Sequence, residues 1–589
     1  MNRLRSVHRF LAGGLLAPAL AVFLLGGAGA SFARDGVQAP SGVTAPVPAE
    51  VSDAGRVAHP AAIASAHPLA SRAGEEILAA GGNAFDAAVA VSAALAVVEP
   101  SSSGLGGGGF YLLHRQSDGL DTFIDAREKA PAAATRDMYL DANGEPVKGA
   151  STLGPLAAGI PGEPAGFEYL AKHFGRLPLA VSLRPAIRLA RTGFPLNARL
   201  QAGIRYKADV LKRSPEAARI FLVNGQVPAL GALIRQPQLA RTLEILAAQG
   251  EKGFYSGPVA NEMVRAVRAG GGIWTLQDLA DYKVVERVPL VGEYHGARII
   301  SSPPPSSGGV ALIDALNILS GVDLAHLPAV ERKHWIIDAM QRVYRDRAIY
   351  LGDPDFVQIP VKLLTDPAYA AGQRASMRSD KAMPSDLLPG VSQGEGGRDT
   401  THLSVLDREG NRVAGTISVN QWLGGGFVAG STGVLLNNTM DDFSKKPGVP
   451  NGFGLVGADA NAIAGNKRSL SSMTPTFVET AHGTMIIGSP GGSFIISMVL
   501  LGTLDYLDGM SAADIVRAPR YHHQYLPDVV AYEAGAFSDD EVRELLAMGH
   551  RLQAHERGWG NMQVVTWDHA SGKVVAASDP RGIGEGLVY

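Results

Sequence analysis

Thr400 and Thr401 stand where a polar, glycine-containing stretch, Ser392 to Arg398, gives way to a run with Leu403 and Val405 in alternation, closed by the turn residues Asp407 to Asn411. Alternation of this kind predicts a strand. A threonine at such a junction is ordinarily only a β-branched residue opening a strand. It becomes a reactive group if the chain is cut before it. An N-terminal threonine is nucleophile and base in one residue: the hydroxyl attacks, and the α-amine, with a reference pKa of about 8, accepts its proton. In the uncut chain the same hydroxyl can attack the Asp399 carbonyl. An N-to-O acyl shift and hydrolysis would then free the Thr400 amine. Pro384 to Arg398 is the one polar, Gly-rich gap between two structured halves, where a cut is tolerated.

A nucleophile of this type needs a partner for the oxyanion it creates. Gly491-Gly492, after Pro490, offers bare backbone that can approach an oxyanion closely, although an ordinary turn reads the same way. Gly104 to Gly109 fits G-x-G-x-x-G, but with an expected helix before it and a strand after it. That is the reverse of the dinucleotide order, so a tight turn is the better reading. His522-His523 has no His or Glu partners at ligand spacing, so no metal is expected. No G-x-S-x-G elbow is present, which weakens a Ser-His-Asp reading. The absence of cysteine excludes disulfides and thiol catalysis, and a net charge of −3 gives no field for nucleic acid.

The elements that must position these groups come in blocks. Ala84 to Val98 is apolar on nearly every face and predicts a buried helix stopped by Pro100. Phe110 to His114 and Phe123 to Asp125 predict a hairpin. Ser182 to Arg191, Leu239 to Ala248, Gln277 to Tyr282 (capped near Thr275), Val310 to Leu319, Lys333 to Tyr350 and Met498 to Leu507 predict helices. Val288 to Tyr294 and Ala297 to Ser301 predict strands. Sheets with helices stacked outside them follow from such blocks. At the start, Arg3, Arg5 and Arg9 precede an apolar Leu11 to Gly27 and the A-x-A site Ala28-Gly29-Ala30, which reads as a signal peptide over 1–30. A Pro- and Ala-rich lead-in follows to about residue 60. An exported protein, periplasmic or secreted, with no membrane attachment after signal removal, is the expectation.

Several motifs accompany Thr400. They include Gly81-Gly82-Asn83-Ala84-Phe85-Asp86-Ala87-Ala88, Leu105 to Phe110, Arg127-Glu128-Lys129-Ala130-Pro131 and Pro303-Pro304-Pro305-Ser306-Ser307-Gly308-Gly309. Downstream are Asn437-Asn438-Thr439-Met440-Asp441-Asp442-Phe443, Leu470-Ser471-Ser472-Met473, Gly488 to Ser493, Ala518-Pro519-Arg520-Tyr521-His522-His523-Gln524 and Ser578-Asp579-Pro580-Arg581. From Ala61 to Tyr589 the chain resembles the γ-glutamyltransferase (γ-glutamyltranspeptidase) family of N-terminal-nucleophile hydrolases.

The resemblance implies an α+β fold, a four-layer αββα sandwich. Residues 61–399 would form a large subunit and 400–589 a small one, the two pairing in one core after cleavage between Asp399 and Thr400. It implies Thr400 as nucleophile, Gly491 and Gly492 as the oxyanion hole, and Arg127 with Ser471 and Ser472 on a substrate α-carboxylate. Asp442, supported by Asn420, would meet the α-ammonium. Three positions depart from the family pattern. Ser418 stands where a threonine commonly orients the nucleophile. Thr439 replaces a Gln or Glu that helps bind the α-ammonium. Phe453 replaces a lid tyrosine beside Lys446 to Asn451. The implied substrate is a γ-glutamyl donor such as glutathione, with water, amino acids or peptides as acceptors and no cofactor. A glutaryl-type (cephalosporin) acylase and a processed, non-catalytic binding protein are the rivals. Arg127 and Asp442 disfavour the first, and Thr400 with the glycine loop disfavours the second.

Overall fold

The computed structural model describes residues 58–388 and 400–589. The signal segment, most of the lead-in, the Ser392 to Arg398 stretch and Asp399 lie outside the described residues. Two sheets dominate. A seven-stranded sheet runs in the order Glu585–Val588, Ala62–Ser65, Thr401–Leu406, Arg412–Ser418, Gly108–Arg115, Leu120–Ala126, Val285–Arg287. A six-stranded sheet runs Val574–Ser578, Gln563–Asp568, Gly483–Gly488, Thr476–Glu479, Ala297–Ser301, Leu290–Tyr294. Each sheet draws strands from both sides of Thr400.

The period of two along the strands shows how the layers stack. In Gly108–Arg115, Tyr111 and Leu113 join the apolar cluster of the Ala84–Val98 helix, whereas Phe110 and Leu112 join the cluster that holds Met485, Ile486 and Ile487 of the other sheet. In Thr401–Leu406, Leu403 and Val405 point to the helices, while Ser404 reaches carbonyls of Ile486 and Gln563 across the gap. The helices Gly308–Leu319, Ala329–Tyr350 and Ile495–Leu507 contribute to the second cluster and cover the six-stranded sheet. The result is the αββα sandwich.

The expected hairpin and helices are present with shifted ends. Ala84–Val98 is a helix buried along its whole length. Its start explains one of the motifs: Asn83 and Asp86 form a reciprocal capping box, and Asp86 also accepts the backbone N–H groups of Arg176 and Leu177. Thr275 caps Leu276–Ala280 in the same manner. The expected strand Val288 to Tyr294 is corrected. Pro289 has no N–H for a ladder, and Val288 is 85% exposed. The chain therefore leaves the first sheet after Arg287 and enters the second at Leu290. Several amphipathic helices, among them Pro68–Ala79, Glu163–His173 and Gly257–Ala269, carried no clear signal in the sequence.

The run Gly104 to Gly109 lies between a helix and a strand, as expected of a turn and not of a nucleotide fingerprint. Its glycines serve close approach. A Cβ on Gly106 would strike the Leu435 carbonyl, and one on Gly107 the Ser418 carbonyl.

Candidate active site

Thr400 immediately precedes the Thr401–Leu406 strand; it is buried and lines a cavity. Its position is set by strand pairing. Ile417 lies opposite Thr401, which carries Ser418 alongside Thr400. The Ser418 hydroxyl donates to Thr400 Oγ1 over 3.4 Å and accepts the Asn420 N–H at 2.8 Å. The next threonine is tied down separately: Thr401 donates to the buried Glu99 carboxylate at 2.6 Å. Strand register and the Gly107 contact therefore hold the Ser418 backbone from both sides.

The same cavity is lined by Arg127, Arg347, Asn420, Asp442, Phe453, Ser471, Ser472 and Gly492. Arg127 is 1% exposed. Its guanidinium pairs with Asp442, donates to Ser469 Oγ at 3.1 Å and lies 3.4 Å from Glu128. Burial pushes Asp442 up to about 6, with Arg127 pulling the other way. Glu128 is also raised by burial, opposed by Arg127 and by a hydrogen bond from Thr439. Ser471 Oγ accepts the Met473 N–H at 3.0 Å, and Ser472 Oγ accepts from Arg347 at 3.2 Å. Burial lowers Arg347 to about 10. Sequence reasoning missed Arg347, because it sits inside a helical pattern that looks complete without a function.

Gly491 and Gly492 have φ of 144° and 55°, a region in which an L side chain is strained. They lead through a short 3-10 turn, Gly492–Phe494, into the Ile495–Leu507 helix. The backbone N–H groups at a helix start carry partial positive charge. The Phe453 ring lies against Gly492, so a side chain there would collide with it. The preceding segment is moored by Asp441, which accepts from Lys445 at 2.8 Å and from the Gly452 N–H at 2.5 Å.

Two expected site residues are turned to other work. Asn420, at φ 76°, lines the cavity but spends its side-chain amide on the Asn438 carbonyl at 2.9 Å. Thr439 is not among the cavity-lining residues; its hydroxyl donates to Glu128 at 2.8 Å. Glu128, in the motif Arg127-Glu128-Lys129-Ala130-Pro131, is the carboxylate that stands beside Arg127. Other motifs are structural. Ser307 donates to the Ser471 carbonyl at 2.7 Å, which joins the Pro-Ser-Gly stretch to the Ser-Ser pair. Arg520 pairs with Asp579 at 2.6 Å, and Arg581 pairs with Glu533. His522 and His523 serve separate partners, Ser497 and Asp528.

A buried threonine at a strand start, a hydroxyl beside it, the positive-φ Gly492 and an Arg–Asp couple line one cavity, while the neighbouring Gly491 lines a separate cleft with Arg199, Trp422 and Trp559. The γ-glutamyltranspeptidase family pattern matches residues 70–589. The chain belongs to that family. It is 43% identical over 527 residues to the glutathione hydrolase proenzyme of Escherichia coli (strain K12), covering 88% of this chain and 90% of that one. It is 44% identical over 499 residues to the proenzyme of Pseudomonas sp. (strain A14), covering 83% and 86%. In structure it is similar to the cephalosporin acylase from Bacillus halodurans, with a TM-score of 0.78 and 27% identity, covering 93% of this chain and 99% of that one. Family membership and fold agree with the architecture described above.

Proposed function

We propose that this protein is an exported glutathione hydrolase and γ-glutamyltransferase that cuts itself between Asp399 and Thr400. The observation that carries the reading is the cavity that holds Thr400 and the Arg127–Asp442 pair together. A γ-glutamyl group presents an amide carbonyl at one end and an α-carboxylate with an α-ammonium at the other. The cavity offers a hydroxyl nucleophile for the first, and cationic and anionic groups for the second.

In this reading Thr400 Oγ attacks the γ-carbonyl while the freed α-amine takes its proton. The N–H groups of Gly491 and Gly492 meet the oxyanion. Collapse passes the proton to the departing amine and leaves a γ-glutamyl ester on Thr400. Water, or the amine of an amino acid or peptide, then attacks the ester and completes hydrolysis or transfer. Ser418 orients the Thr400 hydroxyl. Arg127 receives the α-carboxylate through parallel charge-assisted hydrogen bonds, with Ser471 and Ser472 beside it and the Arg347 charge behind Ser472. Asp442 receives the α-ammonium, on a wall shaped by Asn420. Thr439 acts through Glu128. The large and small subunits remain paired because both sheets contain strands from each.

An acidic wall favours γ-glutamyl over glutaryl substrates, because a glutaryl group has no ammonium to pair with Asp442. The deciding experiment is denaturing electrophoresis with N-terminal sequencing of the smaller fragment, in wild type and Thr400→Ala. The small fragment is expected to begin Thr-Thr-His-Leu, and Thr400→Ala is expected to stay one chain without activity on a γ-glutamyl anilide. A fragment with another start, or normal cutting of Thr400→Ala, removes Thr400 from its role. Faster turnover of the glutaryl anilide than of the γ-glutamyl one would favour the acylase reading.

A further inference from the structure

We propose that the protein carries a structural site for a zinc-class divalent cation, formed by His334, Asp338 and His550, away from the Thr400 cavity. His334 and Asp338 are four residues apart on the Ala329–Tyr350 helix and therefore share a face. His550 is brought to them from the turn after the Asp539–Ala547 helix, where its N–H closes on the Leu545 carbonyl. One ligand atom from each of the three lies within 4.8 Å of the others.

The two imidazoles face each other, His334 Nδ1 to His550 Nε2, at 2.8 Å. The far nitrogen of His334 lies 2.6 Å from the Arg378 carbonyl and must donate to it. That fixes the His334 tautomer with the Nδ1 lone pair turned toward His550 and Asp338. A backbone carbonyl on the opposite ring nitrogen is the support that metal-binding histidines generally have. Without a cation His550 Nε2–H donates to His334 Nδ1. On binding, the His550 proton sits on Nδ1 instead, and two imidazole lone pairs and a carboxylate oxygen converge.

Two imidazoles and one carboxylate suit Zn²⁺ and its borderline neighbours, not Mg²⁺ or Ca²⁺, which prefer all-oxygen shells. Arg342 lies 3.3 Å from one oxygen of Asp338, and Asp528, a second carboxylate near His550, pairs with His523 at 3.1 Å. His334, Asp338 and His550 are 0%, 2% and 7% exposed, so no substrate reaches the group and its role is to fasten. The cation would join the Ala329–Tyr350 helix to the chain beyond Thr400. Sequence spacing could not show the site, because His550 lies 216 residues from His334. The inference does not depend on the γ-glutamyl reading.

The test is metal analysis of the full-length protein, produced in Zn²⁺-supplemented medium so that the cation can enter during folding, and then passed over a chelating resin. Near-stoichiometric zinc is expected in wild type and in the surface control His326→Gln. In His334→Gln and His550→Gln, zinc is expected at background. Glutamine keeps an amide N–H that can donate to the facing His334 Nδ1 in His550→Gln, so folding by hydrogen bonding is preserved while ligation is not. Thermal unfolding is read alongside: the midpoint should fall on stripping zinc from wild type and not move in His550→Gln. Background zinc in folded wild type, or zinc that persists equally in the two ligand variants, overturns the site.

Discussion

At the scale of single residues the site is a set of buried charges that hold one another. Asp442 is ionised only above about 6, because burial outweighs the help it receives from Arg127. A carboxylate with a raised folded pKa holds its proton as pH falls and loses its grip on an ammonium. In the proposed reaction the Thr400 α-amine must also be neutral. Below about pH 6 both groups are protonated, and log kcat/KM should fall with a slope approaching two. Asp442→Asn has only the amine to titrate, and its acid limb should fall with a slope approaching one, on top of a large loss at every pH. Identical limbs in the two proteins would remove Asp442 from substrate binding. Arg127→Ala should lose on the order of 1.5–3 kcal/mol per charged hydrogen bond in kcat/KM while still cutting itself. Unchanged kinetics in folded protein would place the substrate carboxylate elsewhere.

At the scale of elements, the site depends on how closely backbone can approach backbone. Ser418 stands beside Thr400 only because Arg412–Ser418 lies in register between Thr401–Leu406 and Gly108–Arg115. Gly107 packs against the Ser418 carbonyl with no room for a methyl group. Gly107→Ala must therefore push the end of that strand away, at a cost of about 1–3 kcal/mol of overpacking. It should slow maturation more than a substitution at the open Gly372, where a side chain meets nothing and the backbone is not in the positive-φ region. Rates of fragment appearance in a refolding assay would check this, and equal rates would mean that strand position has no control over Thr400. The sequence showed that these glycines were meant for a tight place. It could not show that the neighbour was Ser418, more than three hundred residues away.

At the scale of the whole molecule, stability carries a burden unrelated to catalysis. Glu163 is 1% exposed and accepts one hydrogen bond, from Tyr111 at 2.7 Å. Burial pushes it up to about 8. The folded state thus binds this proton more tightly than the unfolded state, whose value is 4.5. Its contribution is full below the unfolded value and is lost as pH rises through the folded one. At pH 7 that loss is about 3 kcal/mol, at about 1.4 kcal/mol per pKa unit. Glu163→Gln removes it. The variant's thermal midpoint should match or trail wild type near pH 4 and exceed it increasingly up to about pH 8, then by a constant margin. A difference independent of pH would show that Glu163 does not titrate in this range.

The sequence by itself determined the elements whose signals are local and the chemistry that depends on residue type. The all-apolar Ala84–Val98 helix, the Thr275 cap, the hairpin after the glycine run and the strand that follows Thr400 were legible, because propensity, capping and side-chain period act over a few residues. The motif resemblance carried the family and the αββα class. Tertiary structure alone decided what each polar side chain faces. It turned Thr439 toward Glu128 and gave Arg347 to Ser472. It split one apparent strand between two sheets at Pro289 and placed His550 against His334. These pairings join residues that are far apart in the chain, and their partners are chosen by the burial of both sheets against one another. No window of sequence contains that choice, because each residue's type is compatible with many partners and only the packed core leaves one within reach.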